Sequence, residues 1–100
     1  MTSGFPDFQF RAFTSAENFE QKKISATSTE ATTSFTLAVK AVLIYNDGNN
    51  PVHINFDATA TTNSFKIPSK AWLIIDLNFT HLHTICATDE TATLYALGTY

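Results

Sequence analysis

The sequence is poor in the residue types that several classes of function require. It contains a single cysteine, Cys86, which excludes an intrachain disulfide, so the fold must be stabilised by packing. One free thiol also fits cytoplasmic synthesis. Only six Lys and Arg residues stand against nine Asp and Glu residues, and the net charge of −3 argues against a nucleic-acid partner. Three glycines leave no glycine-rich phosphate loop.

Long apolar runs are missing as well. None approaches the length of a membrane span, and no signal-peptide pattern follows Met1, so the sequence predicts neither a membrane partner nor secretion. Charged residues make up only 15% of the chain, whereas about a quarter is usual for globular domains. The polar surface must therefore be supplied by Thr, Ser and Asn.

The chain is instead rich in apolar residues and in threonine. Hydrophobic residues account for 44% of the chain and aromatic residues for 13%, which is enough to form a core. Threonine is the most frequent residue type, and its β-branched side chain favours strands. Low charge combined with abundant threonine predicts an all-β protein, part of whose surface meets other protein.

The stretch Ala41–Leu77 carries the clearest pattern. The apolar run at 41–45 reads as a strand, and residues 46–50 (NDGNN) tolerate turn conformations, with Gly48 free to adopt positive φ. After Pro51, residues 52–57 alternate strictly between apolar and polar side chains. We therefore expect a β-hairpin, with Val52, Ile54 and Phe56 on its buried face.

Further strands are predicted along the whole chain, at intervals of about ten residues. They cover residues 20–27, 33–38, 65–67, 71–79, 81–87 and 91–98. The strand at 33–38 either ends there or runs on into 39–45 with a kink or bulge near Lys40. In the last of these the pattern leaves open whether Leu94 and Ala96, or Tyr95 and Leu97, line the core. The spacing predicts a small antiparallel β-sandwich, of jelly-roll or Ig-like type, with seven to eight short strands. Residues 20–100 would form this domain, and residues 1–19 an extended arm or first strand.

The amino-terminal segment is unusually rich in phenylalanine. Five of the nine Phe residues fall within the first nineteen positions: Phe5, Phe8, Phe10, Phe13 and Phe19. Such rings either cross the core of their own domain or dock onto a neighbouring subunit, since aromatic anchors are enriched in both places. The candidate interface residues are Phe5, Phe8, Phe10 and Phe13.

Candidate chemistry is sparse. His81 and His83 share one face of a strand and could chelate a metal, but His53 and scattered Asp residues offer no third ligand at a convincing spacing. Cys86 and His83 are three positions apart, on opposite faces of a strand, which favours a buried thiol over a nucleophile. The sequence therefore predicts no catalytic residue, no metal and no cofactor.

The second half of the chain contains several distinctive short motifs. They are Asn46-Asp-Gly48, Pro51-Val-His-Ile-Asn-Phe-Asp57, Phe65-Lys-Ile-Pro68, Trp72 with Ile75-Asp-Leu77, Thr80-His-Leu-His-Thr-Ile-Cys-Ala87 and Thr91-Ala-Thr-Leu-Tyr-Ala-Leu-Gly-Thr99. In these motifs the chain resembles small virion proteins encoded by tailed bacteriophages.

The resemblance implies a structural rather than a catalytic role. It implies a capsid decoration subunit, or else a head–tail or tail accessory subunit, located in the virion after synthesis in the host cytoplasm. The partners would be major capsid or connector subunits and further copies of the chain. No site residue is carried over by the resemblance.

Two other functions remain open at this stage. The first is a carbohydrate- or host-surface-binding module, for which Tyr45, Trp72 and Tyr95 would supply a stacking platform. This requires an exposed aromatic residue, whereas Trp72, placed within a strand, is expected to be packed. The second is a small metal-dependent enzyme built on His81 and His83.

Overall fold

The computed structural model describes residues 18–100, which form six strands. They are β1 (Phe19–Ala26), β2 (Ala31–Asn46), β3 (Val52–Phe56), β4 (Phe65–Ile67), β5 (Trp72–Ile85) and β6 (Ala92–Thr99). Between residues 18 and 100 there is no helix, and accordingly none that is long and apolar enough to cross a membrane. The all-β prediction is thereby confirmed. The candidate interface residues Phe5, Phe8, Phe10 and Phe13 lie outside the described residues.

All six strands belong to one antiparallel sheet, which curls into a half-barrel. The strand order is β1-β6-β2-β5-β3-β4, so the last strand in the chain lies between the first two. In the same way β5 lies between β2 and β3. The described residues therefore form one curled sheet, and the two facing sheets of a sandwich remain a prediction.

The two long central strands explain how a single sheet can enclose a core. The first part of β2, residues 31–34, pairs with residues 81–84 of β5, and its last part pairs with residues 72–76. Between these parts the register shifts on both sides of Val39. Bulges bend a strand and increase its twist, so the sheet curls at this point. The predicted bulge near Lys40 is confirmed.

The strand count is lower than predicted because two of the expected strands are one. Residues 71–79 and 81–87 were expected to be separate, but β5 runs without interruption from Trp72 to Ile85. Asp57 accepts hydrogen bonds from the backbone N–H groups of Thr80 and His81, at 3.0 and 2.8 Å. A side chain from a neighbouring segment therefore binds the point at which two strands were expected to separate.

The predicted hairpin between residues 41–45 and 52–57 is wrong. Both segments are strands, but β3 pairs with β4 and β5 and not with β2. The backbone N–H of Lys70 donates to the carbonyl of Asn46 at 2.8 Å, so the segment entering β5 occupies the place next to β2. Residues 47–51 are a crossover past the start of β5, not a hairpin turn.

The core lies inside the curl and is built by alternate residues. On β2, β3 and β6 these include Val42, Ile44, Val52, Ile54, Leu94 and Ala96, all buried. The alternative left open for the last strand is thus settled: Leu94 and Ala96 point inward, and Tyr95 and Leu97 lie on the outer face. Phe79 packs edge-on against Phe35, with ring centroids 5.4 Å apart, at the bottom of this core.

Candidate functional site

One row of side chains crosses four strands on the outer face of the sheet. Lys23 on β1 pairs with Tyr95 on β6, Tyr95 pairs with Tyr45 on β2, and Tyr45 pairs with Trp72 on β5. Directly opposed side chains on one face of antiparallel strands lie about 5 Å apart. Three aromatic rings and one ammonium group therefore follow one another across the sheet; we call these four residues the aromatic row.

The rings of the aromatic row interact with each other and remain accessible. The centroids of Tyr45 and Trp72 are 4.5 Å apart with an angle of 37° between the rings. Lys23 Nζ lies 5.9 Å from the centroid of Tyr95, within the range of a cation–π contact. Trp72 is 62% exposed and Tyr95 is 43% exposed. The expectation that Trp72 is packed is therefore wrong, because it is the first residue of β5 and faces outward.

A second row runs beside the first and completes a groove. It lies two residues along each of the same four strands and consists of the paired residues Gln21, Leu97, Leu43 and Ile74. The aromatic row, together with Gln21, Lys22, Leu43, Ala96 and Leu97, lines a groove of about 590 Å³. We call it the outer groove.

The strand period dictates this arrangement. On β2, Val42 and Ile44 point into the core, so Leu43 and Tyr45 must point outward. On β6, Leu94 and Ala96 point inward, which leaves Tyr95 and Leu97 on the outer face. Because β6 lies between β1 and β2, residues that are far apart in the sequence meet in one groove.

The chemistry of the outer groove suits binding. Among residues 18–100, its lining is apolar or aromatic apart from Gln21, the two phenol groups and two lysines, and these residues contribute no carboxylate, histidine, serine or cysteine to it. Lys22 is directed away to Glu20, with an Nζ–Oε2 distance of 2.9 Å. Lys23 is the cation of the aromatic row itself. A groove of this composition can hold an apolar or aromatic group and an adjacent negative charge.

The histidines of β5 lie elsewhere, each beside its own carboxylate. His83 Nδ1 is 2.7 Å from Glu30 Oε2, and the same oxygen accepts a hydrogen bond from the backbone N–H of Ala60 at 3.0 Å. The Ala60 amide, and then His83, hold the pKa of Glu30 below its usual value. This contact joins β5 to the segments that precede β2 and follow β3.

His81 is placed differently although it shares a face with His83. Its Nδ1 is 3.5 Å from Asp57 Oδ1. The backbone N–H groups of His81 and Thr80 hold the pKa of Asp57 below its usual value. Asp57 adopts a positive φ of 57°, which directs its carboxylate to these donors. Residues 18–100 contain no group of three or more His, Cys, Asp or Glu side chains arranged to hold a metal ion.

Cys86 is buried at the end of β5, with 1% of its surface exposed. Its backbone N–H donates to the carbonyl of Thr27 at 2.8 Å, which joins this position to the end of β1. Burial, and secondarily the charge of Glu90, raise the pKa of the thiol. The group is therefore held in its neutral, unreactive form, as a structural cysteine.

Comparison with known proteins shows a likeness in fold. No protein-family model matches the chain, and no curated protein matches it. Among solved structures, the chain is similar to the plu4264 protein from Photorhabdus luminescens, with 18% sequence identity and a TM-score of 0.50. The likeness shows the fold. It covers 80% of this chain and 61% of that one, so this chain spans less than two thirds of the length of plu4264.

Sequence reasoning found part of the outer groove. It named Tyr45, Trp72 and Tyr95 together as a stacking platform, and the structure brings these three side chains into one row. It missed Lys23, Leu43 and Leu97, because their placement depends on which strands are neighbours. The alternation around each of them was visible, and only the strand order was lacking.

Proposed function

We propose that this protein is a non-catalytic structural subunit of a tailed-phage virion, which binds a neighbouring virion protein through the outer groove. The role as a decoration or accessory subunit is supported by the resemblance of residues 44–99 to small phage virion proteins. The outer groove supplies a surface suited to that role. A β-sandwich-like body belongs to the same proposal, with the curled sheet enclosing its core as two facing sheets would.

The observation that carries the proposal is the exposure of the aromatic row. The described part of the chain already fills its core from the inner face of the sheet, so Trp72 and Tyr95 are not needed there. Large apolar side chains grouped on a surface mark interaction sites, and Trp and Tyr are the residue types that most often dominate binding energy. A groove of about 590 Å³ accepts one or two large side chains of a partner.

The small size of this groove agrees with a repetitive assembly. A stable interface between two proteins usually buries about 1,600 Å² in total, more than a four-residue row can supply alone. Subunits attached in many copies to a symmetric shell share weak contacts, and their effective affinity exceeds that of one contact. A shallow aromatic groove is adequate for that mode of attachment.

The test is the amount of the chain found in purified particles. Phage particles from the strain that carries the gene would be prepared with the native chain, with Trp72→Ser plus Tyr95→Ser, or with Phe65→Ser. Phe65 is a matched control because it is 60% exposed on β4, outside the groove. We expect a stoichiometric amount of the native chain and of the control, and at least a tenfold loss for the double variant. Particles that lack the native chain would refute the virion role.

A glycan-binding module is the second candidate, and the Tyr45–Trp72 pair favours it. Two tilted, accessible rings can stack on the apolar face of a sugar. Glycan sites also use carboxylate or amide groups, and of this kind the described part of the chain contributes only Gln21 to the outer groove. Titration of the native chain with host surface polysaccharide would distinguish the two functions, because saturable binding that is lost in Trp72→Ser would support the glycan-binding module.

A further inference from the structure

We propose that the outer groove binds an extended segment of a partner protein with the pattern apolar–x–apolar–x–acidic, read in either chain direction, where x is any residue. The acidic side chain would pair with Lys23, and the apolar side chain at the other end would lie on Tyr45 and Trp72. This inference rests on the proposed function, since it takes the outer groove as the docking surface. It adds the sequence pattern that the partner must carry.

The first argument is the length of the aromatic row. Lys23 and Trp72 stand at its two ends and are separated by three strand spacings, about 14 Å. In an extended chain, alternate side chains point to the same side and follow one another at intervals of about 6.7 Å. Three such side chains span about 13 Å, which matches the row. An extended segment that crosses the strands at a right angle therefore places one side chain at each end of the row and one in the middle.

The second argument is the shape of the outer groove. The aromatic row and the second row (Gln21, Leu97, Leu43 and Ile74) lie two residues apart on each strand, so the space between them is about 7 Å wide. The side chains of one extended segment fit this width, whereas a helix with its side chains is about 10 Å across. A second copy of the same face would bring a groove against a groove and leave the centre empty. The shape therefore favours a single extended segment.

The third argument is the charge at the β1 end of the groove. Lys23 is exposed, and its ammonium group lies 5.9 Å from the centroid of Tyr95. No carboxylate of residues 18–100 forms an ion pair with it, whereas Lys22 beside it is paired with Glu20 at 2.9 Å. Lys23 is therefore the cation that an incoming carboxylate meets.

The carboxylates around the groove fix the orientation of the pattern. Asp76 lies on the outer face of β5, four residues and about 13 Å from Trp72. Asp47, two residues beyond Tyr45, is paired with Lys70 at 3.4 Å. An acidic side chain is thus attracted to the β1 end of the row and repelled by Asp76 from the β5 end. The apolar side chains of the segment must then lie towards Trp72.

The test is an NMR titration of the ¹⁵N-labelled full-length chain, whose mass of 11.0 kDa gives well-resolved amide spectra. Four capped peptides serve as probes. GFSLSEG carries the pattern, GFSLSQG and GFSLSKG replace its acidic residue by a neutral or a basic one, and GSFLSEG changes the spacing.

We expect GFSLSEG to bind with a dissociation constant of about 0.1–1 mM and to shift the amide signals of residues 21–23, 43–45, 72–74 and 95–97. GFSLSQG should bind about threefold more weakly, because it lacks one exposed charge pair, and GFSLSKG about tenfold more weakly. GSFLSEG should also bind about tenfold more weakly, because its Phe side chain points away from the groove. Equal affinities of GFSLSEG and GFSLSQG for the native chain, or shifts centred on another surface, would overturn the proposal.

A double-mutant cycle assigns the carboxylate to Lys23. In Lys23→Gln, GFSLSEG and GFSLSQG should bind equally tightly. In the control Lys66→Gln the preference of about threefold should remain, because Lys66 is exposed on β4, outside the groove. A preference that persists in Lys23→Gln would show that another cation receives the carboxylate and would overturn the assignment.

Failure of this inference is distinguishable from failure of the proposed function. The peptide titration needs no particle and tests the pattern alone. Absence of binding by all four peptides at millimolar concentration would overturn the pattern, and so would groove signals that move when the free chain is diluted, since these would indicate a second copy in the groove. Particle occupancy that does not respond to Trp72→Ser plus Tyr95→Ser would instead remove the docking role of the groove.

Discussion

At the scale of single residues, Asn46 connects more parts of the chain than any other polar side chain described. It is fully buried, and its Nδ2 group lies 2.9, 3.1 and 3.2 Å from the carbonyl oxygens of Asn50, Ile67 and Pro68. Its Oδ1 accepts a hydrogen bond from the backbone N–H of Gly48 at 2.9 Å. This one amide therefore fixes both the crossover after β2 and the chain that follows β4.

We expect Asn46→Ala to lower the free energy of unfolding by about 2–4 kcal/mol, because buried carbonyl groups lose their donor and a void is left. Asn46→Asp should cost at least as much at neutral pH, since a carboxylate would face three carbonyl oxygens. Urea unfolding measures both changes. Asn78→Ala, at an exposed position on β5, is the control and should stay within about 0.5 kcal/mol of the native chain. A native-like midpoint for Asn46→Ala would contradict this role.

The charged side chain of Glu20 connects several parts of the chain, as the neutral amide of Asn46 does. Its carboxylate accepts hydrogen bonds from the Tyr100 hydroxyl, from Lys22 and from the backbone N–H of Thr36, the last at 2.9 Å. These donors, the Tyr100 hydroxyl first, lower the pKa of Glu20 to about 2. The same hydrogen bond, with Tyr100 as donor, raises the pKa of that phenol. One side chain thus joins β1 to the bulged part of β2 and to the end of the chain.

The depressed pKa of Glu20 predicts acid lability. A carboxyl group whose pKa is lower in the folded state stabilises the fold above its unfolded pKa, here 4.5, and this stabilisation is lost as the pH falls towards 2. Urea unfolding between pH 7 and pH 2 should show this loss in the native chain and a smaller one in Glu20→Gln. Tyr100→Phe removes the main donor and should also reduce the dependence. Glu30 and Asp57 add to it with the same sign, so identical slopes in all three proteins would be the contrary result.

At the scale of elements, the strands were predictable and their neighbours were not. Strict alternation located β3, β4 and β6 to within one or two residues, because a period of two is a local property. Alternation says which face a side chain lies on, but it is silent on which strand lies beside it. The NDGNN stretch serves equally well in a tight turn or in a crossover, so the hairpin was inferred where β5 in fact intervenes.

The same limit explains what was missed in the outer groove. The identity of its aromatic residues was readable from the sequence, but their exposure was not. The period of two placed Leu73 on the inner face and Trp72 and Ile74 on the other face, where the apolar character of the stretch implied partial cover. The pairing of Trp72 with Tyr45 settles this question, because the neighbouring Ile44 is buried and Tyr45 therefore points outward.

Two glycines mark where elements approach most closely. The sequence left Gly48 free to adopt positive φ, but the structure requires glycine there for lack of space: a Cβ would lie 2.6 Å from Ala92 Cβ and 2.7 Å from Ala92 Cα. A Cβ on Gly98 would lie 3.0 Å from both a Phe35 ring carbon and a Val39 methyl carbon. The positive φ angles of the described residues occur instead at Asp57, Lys70 and Asp89.

These contacts predict an order of severity. Gly98→Ala should destabilise the fold by about 1–3 kcal/mol, because side chains can yield by a few tenths of an ångström. Gly48→Ala should cost more, since the obstacle is backbone and the crossover must shift away from β6. Urea unfolding of both variants gives the comparison, and a smaller effect at Gly48 than at Gly98 would show that the crossover adapts.

At the scale of the whole molecule, the sheet is assembled from segments distant in the sequence. Residues 19–26 of β1 pair with residues 92–99 of β6, and β6 is also the partner of β2. The outer groove inherits this property, because its wall on β1 and its floor on β6 come from opposite ends of the described chain. Neither the core nor the groove can be complete until β6 is in place.

The rate at which the single buried thiol is chemically modified would measure how often this assembly opens. Cys86 packs in the core cluster, and its backbone N–H is hydrogen-bonded to the chain at the end of β1. A labelling reagent can therefore reach the thiol only when this contact, the Cys86 seam, opens. In native buffer, we expect an aromatic disulfide reagent to modify Cys86 at a rate that becomes independent of reagent concentration, equal to the rate of opening. That rate should rise in Asn46→Ala and fall when a partner binds. Labelling that remains proportional to reagent concentration, and as fast as that of a free thiol, would mean that the seam is open. Because the sequence contains one cysteine, this labelling measures the opening rate at a single known position, and no residue has to be introduced for it.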